Sequence, residues 1–278
     1  MRQPCDEALM LTGPLGAPCA ERSRPWVLAA TILGSSMAFI DSTVVNVALP
    51  ALQADLHATV VDLQWVAESY GLFLSALILV GGALGDSLGR RAMFLLGVTA
   101  FAAASAGCGL SRSVGSLLMW RSVQGFAAAF LVPGSLAIIS ASFGEHNRGK
   151  AIGTWSGFTS ITSAVGPVLG GWLIEHASWH WVFFINVPIA AIVVALTLRY
   201  IPESRNPQAG RTPDWTGAAL AIAGLGGVVF GLIESSNRGW KDPAVIATLP
   251  LGIVALAAFV VVDSQTSAAA SCQFVSGT

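Results

Sequence analysis

Residues 26–49 read WVLAATILGSSMAFIDSTVVNVAL, an apolar run with a single charge, Asp41. As a helix rising 1.5 Å per residue, a run of that length exceeds the ~20 residues needed to cross a bilayer. An ionised carboxylate near the bilayer centre costs roughly 2.5–3.5 kcal/mol on insertion scales, so its presence there calls for a partner and a purpose. The stretch therefore implies a membrane helix and marks Asp41 as its first functional candidate.

Outward from this run the composition agrees. The chain has 278 residues, of which 54% are hydrophobic and only 10% charged, whereas soluble domains carry about 25% charge. Mean hydropathy is +0.69. Seven further apolar runs follow, near 65–85, 92–110, 116–139, 151–174, 179–198, 215–233 and 244–262. Their length excludes a membrane barrel, whose strands show ten-residue alternation. The expected fold is an all-α integral membrane protein with eight spans.

Lysine and arginine placement predicts the orientation. With the N-terminus in the cytoplasm, inner segments hold Arg2, Arg22, Arg24, Arg90, Arg91, Arg148, Lys150, Arg199, Arg205 and Arg211. Outer loops hold Arg112, Arg238 and Lys241. This positive-inside bias alternates correctly through every span and puts both termini in the cytoplasm of a multi-pass plasma-membrane protein. The expected domains are a cytoplasmic tail over 1–25, a six-helix bundle over 26–200, a cytoplasmic linker over 201–214, two more spans over 215–263, and a disordered tail over 264–278. The linker reading rests on its three prolines and interspersed charges. Glycines four apart (Gly81 and Gly85, Gly153 and Gly157, Gly166 and Gly170, Gly227 and Gly231) are expected where helices pack closely.

Cys5, Cys19, Cys108 and Cys272 share no ligand-like or disulfide-framework spacing. The histidines fall in loops or at helix ends, so no metal site is expected. Neither a cofactor nor nucleic acid is suggested, and no Walker-type loop points to ATP. The chain is not expected to be an enzyme.

Three charges lie within the spans: Asp41, Glu68 and Arg121. Counting from the expected helix ends puts Asp41 roughly 12 Å below the outer surface, Arg121 about 8 Å, Gln124 about 12 Å and Glu68 about 5 Å. Asp41, Arg121 and Gln124 thus share a height. One reading makes Asp41 and Arg121 a structural pair pinning the first span to the fourth. In the other, Asp41 faces a water-filled cavity and exchanges a proton, as intramembrane carboxylates do in proton relays. Glu68 is either interfacial or an accessory to that exchange.

Four motifs then give the chain a family resemblance. "IDSTVVNVALP" in the first span, "GGALGDSLGRR" between the second and third, "RSVQG" in the fourth and "AVGPVLGG" in the fifth occur in order. With "WHWVFFINVPI" opening the sixth span and "GLIESSNRGW" ending the seventh, they make the chain similar to the N-terminal portion of a major facilitator superfamily transporter of the 14-helix drug:proton antiporter group. The resemblance implies an N-terminal six-helix transporter bundle followed by two extra helices, and export of hydrophobic or cationic small molecules such as drugs. The proton would be the coupling ion, carried on Asp41 with help from Arg121 and Glu68. An uptake symporter is disfavoured by the antiporter motif.

In the gating loop, Gly85 and Gly89 are expected to permit a tight turn, and Asp86 to accept from backbone amides at the start of the third helix. Arg90 and Arg91 keep the loop inside. The resemblance adds that Asp86 and Arg90 latch the two halves of a transporter; Ser87 stands where the family has arginine, which weakens that latch. In the helix-four motif Arg121 and Gln124 serve the proton carrier and Gly125 allows close packing. In the antiporter motif, Pro167 removes a backbone hydrogen bond while Gly166, Gly170 and Gly171 admit a neighbour, as a packing kink or as a moving hinge. His180 replaces a common arginine in an outer-loop contact.

The resemblance reaches residues 26 to 263 and stops short of the second six-helix bundle. Alternating access rocks one bundle against another. The chain alone is therefore expected not to transport. Its expected partners are the lipid bilayer, a small-molecule substrate and a second transporter half, the alternative being a truncated remnant or interaction module without transport.

Overall fold

A computed structural model of the chain describes residues 23–205 and 215–276. The N-terminal tail through residue 22, linker residues 206–214 and residues 277–278 lie outside the described residues. The described residues contain helices and no strand. They are α1 (Arg24–Leu56), α2 (Val60–Leu88), α3 (Arg90–Gly109), α4 (Val114–Ser142), α5 (Glu145–His176), α6 (His180–Tyr200), α7 (Trp215–Arg238) and α8 (Pro243–Ser276). The sixth is interrupted at Ile185, between His180–Phe184 and Asn186–Tyr200. Each of the eight contains a stretch long and apolar enough to cross a membrane.

Local chemistry sets the boundaries. α1 has Pro25 in its first turn, where a missing N–H costs nothing, and ends at His57 in a left-handed conformation with φ 51°. α2 starts with a capping box: Thr59 Oγ1 accepts from the Asp62 N–H at 3.2 Å, and Asp62 Oδ2 accepts from the Thr59 N–H at 2.9 Å. That cap starts the helix at Val60, ahead of the expected apolar onset at 65. Ser113 Oγ caps α4, accepting from the Ser116 N–H at 3.3 Å.

The contacts divide the chain into two compact units, Met1–Pro213 and Asp214–Thr278. In the first, α1 packs on α4, α5 and α6, α2 packs on α4, and α3 packs on α4 and α6. α1 and α4 are accordingly the most enclosed spans, and Phe94, Phe101, Leu131, Ile138 and Ile139 are buried in the apolar core they organise. Glycine lets α2 and α4 touch: a Cβ on Gly81 would collide with the Ala129 carbonyl, and one on Gly125 with the Tyr70 carbonyl. Gly153 and Gly157, expected to do the same, face open space, as does Gly85. Spacing of four puts glycines on one helix face without saying whether that face meets a neighbour.

In the second unit α7 and α8 pair through Gly227, which faces Gly252, and Gly231, which faces Leu249. Arg238 donates to Glu234 at 2.8 Å near the end of α7. The α8 backbone stays helical to Ser276, where a disordered tail was expected from residue 264. Alanines at 268–270 are the strongest helix formers available and carry the backbone on past the last apolar residues.

Candidate functional site

Five helices of the first unit converge on one buried polar cluster. α1 supplies Asp41, whose side chain is 0% exposed, and α4 supplies Arg121 at 1%. Arg121 and Gln124 stand three residues apart on α4 and so project from one face. Arg121 Nη1 donates to Asp41 Oδ2 at 2.5 Å and to Gln124 Oε1 at 2.9 Å, and its Nε donates to the Val66 carbonyl at 3.2 Å. Gln124 Nε2 donates to Asp41 Oδ1 at 2.7 Å. The guanidinium also lies 4.5 Å from the ring centroid of Tyr70 on α2, a cation–π distance. Tyr70 in turn donates its hydroxyl to the Ala38 carbonyl of α1 at 3.1 Å.

The structure thus brings together Asp41, Arg121 and Gln124, the three residues that helix counting put at one height. Glu68 stays outside: its side chain is exposed on α2, and among the described residues no hydrogen bond or ion pair joins it to the cluster. Two members escaped the sequence reading. Asn186, fully buried at the α6 break, donates to Asp41 Oδ1 at 3.2 Å and to Ser105 Oγ at 2.9 Å. Ser105 on α3 also accepts from Gln124 Nε2 at 3.3 Å and donates to the Phe183 carbonyl at 2.8 Å. A survey restricted to charges passes over neutral side chains; the signal was an amide inside the apolar stretch VFFINVPIAAIVVAL, residues 182–196.

The antiporter motif lies against the same part of α1. A Cβ on Gly166 would strike Thr43, and one on Gly170 would sit 3.4–3.5 Å from Val44, the residues just beyond Asp41. Pro167 and Gly171 play no part in that contact: Pro167 is exposed and Gly171 faces open space. α5 runs unbroken through Pro167 although proline offers no N–H to the turn before it.

The gating corner differs from expectation. Gly85 is an ordinary helical residue of α2, and Gly89 alone makes the turn, at φ 127°, a conformation that suits glycine. Asp86 does not cap α3. It pairs with Arg90 instead, accepting from Nε and from Nη2 at 2.8 Å. The cap comes from Glu203, whose carboxylate accepts from the backbone N–H groups of Arg91 at 3.1 Å and Ala92 at 3.0 Å. The Ser204 carbonyl accepts from the Arg90 N–H at 3.0 Å, and Arg91 Nη2 donates to the Leu198 carbonyl at 3.3 Å. Residues 201–204 are therefore packed onto this corner rather than being loose linker. Asp86 faces away from the amides because its helix continues to Leu88, while a carboxylate arriving from the end of α6 meets them head-on. Ser87 is spent on the Leu84 carbonyl at 3.3 Å.

At the opposite end, His180 stacks on Trp179 with ring centroids 3.8 Å apart, and Trp179 Nε1 donates to Asp55 Oδ2 at 3.0 Å. The tryptophan and not residue 180 ties the start of α6 to the end of α1. No group of three or more metal-ligating side chains occurs among the described residues.

Comparison with known proteins adds four findings. The family model described as Major Facilitator Superfamily matches residues 31–277. The tetracenomycin C resistance and export protein of Streptomyces glaucescens is 37% identical over 88% of this chain and 46% of its own length. The multidrug resistance protein Stp of Mycobacterium tuberculosis (strain CDC 1551 / Oshkosh) is 38% identical over 88% of this chain and 46% of its own length. The chain thus spans about half the length of the curated relatives it matches. Among solved structures, a peptide transporter in complex with sulfate superposes with a TM-score of 0.61 at 15% identity, over 92% of this chain and 55% of that one.

Proposed function

We propose that this chain, which belongs to the Major Facilitator Superfamily, carries the first helix bundle of a proton-coupled exporter of hydrophobic or cationic small molecules such as drugs. It is a multi-pass membrane protein; the proposal adds that the membrane is the plasma membrane, that both termini are cytoplasmic, and that Asp41 is the proton carrier. The observation that supports it best is the buried Asp41–Arg121 pair on two membrane spans, at 2.5 Å.

The chemistry of such a carrier follows from the contacts. A proton arriving at Asp41 competes with the Arg121 N–H for the carboxylate. Once Asp41 is neutral, the ion pair is gone, and Arg121 keeps the Gln124 amide oxygen, the Val66 carbonyl and the Tyr70 ring. Its charge therefore stays partnered through a protonation cycle, which limits the desolvation penalty that an orphaned ion would incur. Gly166 and Gly170 hold α5 against the segment that bears Asp41, so a shift of α1 on protonation is felt at the antiporter motif. Asp86, Arg90 and Arg91 form the cytoplasmic latch of this scheme. Glu68, exposed on α2, is at most an outer relay.

The names of the relatives, resistance and export proteins, support efflux over uptake. The test is extrusion of a fluorescent lipophilic cation, ethidium, from cells of an exporter-deficient strain under an imposed proton gradient. With a second six-helix bundle present, Asp41→Asn is expected to abolish gradient-driven extrusion; unchanged, pH-dependent extrusion by that variant would remove Asp41 from its role. A second reading, favoured by the half-length coverage, is that this bundle works only against a second transporter half. Extrusion that appears only when a second bundle is co-expressed would select it, and silence under both conditions would favour an interaction module without transport.

A further inference from the structure

The proton-carrier reading of Asp41 leaves Asn186 unaccounted for, and the geometry gives it a definite task. Asn186 is fully buried, and its Nδ2 donates to both Asp41 Oδ1 and Ser105 Oγ. Its amide orientation is fixed by its neighbours. Ser105 commits its only proton to the Phe183 carbonyl, so toward Asn186 it can only accept. The ionised carboxylate likewise only accepts. Nδ2 must point at both, and Oδ1 is left buried with no hydrogen-bond partner.

An unpartnered buried carbonyl is an unfavourable arrangement that a packed core usually avoids. Here it lies a half-turn about one side-chain torsion from the carboxylate. The ionisable groups near that carboxylate are Arg121 from α4, Tyr70 from α2 and Cys108 from α3, whose Sγ donates to Gln124 Oε1 at 3.6 Å; α5 meets this part of α1 through Gly166 and Gly170. Gln124 is engaged at both ends of its amide, giving to Asp41 and receiving from Arg121. Of the two side-chain amides at the carboxylate, Asn186 is the one whose oxygen is unpartnered.

We propose that Asn186 is a positioning residue whose side-chain amide reads the protonation state of Asp41: it donates to the ionised carboxylate and turns over when the proton arrives, offering Oδ1 to the new O–H. The step forms one O–H bond on Asp41, breaks the hydrogen bonds from Asn186 Nδ2 to Asp41 Oδ1 and to Ser105 Oγ, and makes one from the new O–H to Asn186 Oδ1; Ser105 keeps the donation from Gln124 Nε2. Asn186 opens the second of the two helical stretches of α6, directly after Ile185. The inference rests on Asp41 being the proton carrier.

The test is infrared titration of the full chain in lipid, following the protonated carboxyl band assigned by its loss in Asp41→Asn. A side-chain amide carbonyl band, assigned by its loss in Asn186→Ala, is expected to change with the same midpoint as the carboxyl band. In Asn186→Ala the C=O stretch of the protonated carboxyl is expected to move to higher frequency, because its O–H has lost the acceptor that Asn186 Oδ1 offers. If that variant fails to fold, Asn186→Ser takes its place with the same expectation. A carboxyl stretch unmoved in the variant, or an amide band indifferent to pH, overturns the role of Asn186 while leaving Asp41 as carrier. A wild-type chain without any titrating carboxyl band overturns both.

Discussion

Two aspartate–arginine pairs stand among the described residues of the first unit, Asp41 with Arg121 and Asp86 with Arg90, and they could hardly be set in more different surroundings. Asp41 and Arg121 join two helices across 80 residues of sequence and are 0% and 1% exposed. Asp86 and Arg90 lie four residues apart at the mouth of one turn, with 37% and 17% exposure. The first pair is bound into a cluster in which Gln124 and Asn186 donate to the carboxylate and Ser105 accepts from both of those amides. The second leaves its carboxylate partly to solvent and hands the capping of α3 to Glu203. A buried pair is held by geometry and punishes the loss of either member; an exposed one is screened and replaceable.

That contrast is sharpest at Arg121. Arg121→Ala strands a carboxylate in the bundle interior and is expected to cost about 3–5 kcal/mol. The double variant Asp41→Asn with Arg121→Met should recover most of that loss, read as the thermal midpoint of the purified chain in detergent. Equal midpoints for the single and double variants would mean the pair does not hold α1 to α4. At the gating corner the larger effect should come from Glu203, the residue absent from the motif. Glu203→Ala removes a cap worth about 0.5–2 kcal/mol and should speed hydrogen exchange at the Arg91 and Ala92 amides, measured by mass spectrometry. The smallest effect is expected from Asp86→Asn. Its loss should stay below about 0.5 kcal/mol and vanish at molar salt, whereas the Asp41–Arg121 pair should be indifferent to salt. An Asp86 variant as costly as the Arg121 one would erase the distinction.

How much of this was legible follows the same divide. Eight apolar runs announce eight spans because a bilayer demands length and lack of charge, and both are written plainly in one dimension. The meeting of Asp41, Arg121 and Gln124 could be anticipated from depth alone, since helices of known rise convert residue number into height. Depth carries no information about azimuth. Hence the choice at Glu68 between an interfacial residue and an accessory to the cluster stayed open, though its side chain is exposed on α2, and Gly153 and Gly157 were assigned a neighbour they lack. Asn186 and Ser105 were missed because an uncharged polar group inside a span is common enough to pass unnoticed until its partners are seen. Glu203 was missed for another reason: it lies 111 residues from the amide of Ala92 that it caps, in a stretch whose prolines suggested a linker.

The sequence distances within the cluster set a schedule for the ribosome. Arg121 follows Asp41 by 80 residues and Asn186 by 145. At synthesis rates of about 5–20 residues per second, Asp41 waits about 4–16 s for its cation and about 7–29 s for its last amide. Until Arg121 is made, α1 holds a carboxylate with none of its native partners. The nascent span must therefore be sheltered beside the insertion machinery, enter the lipid with its aspartate protonated, or return to be seated once α4 and α6 arrive.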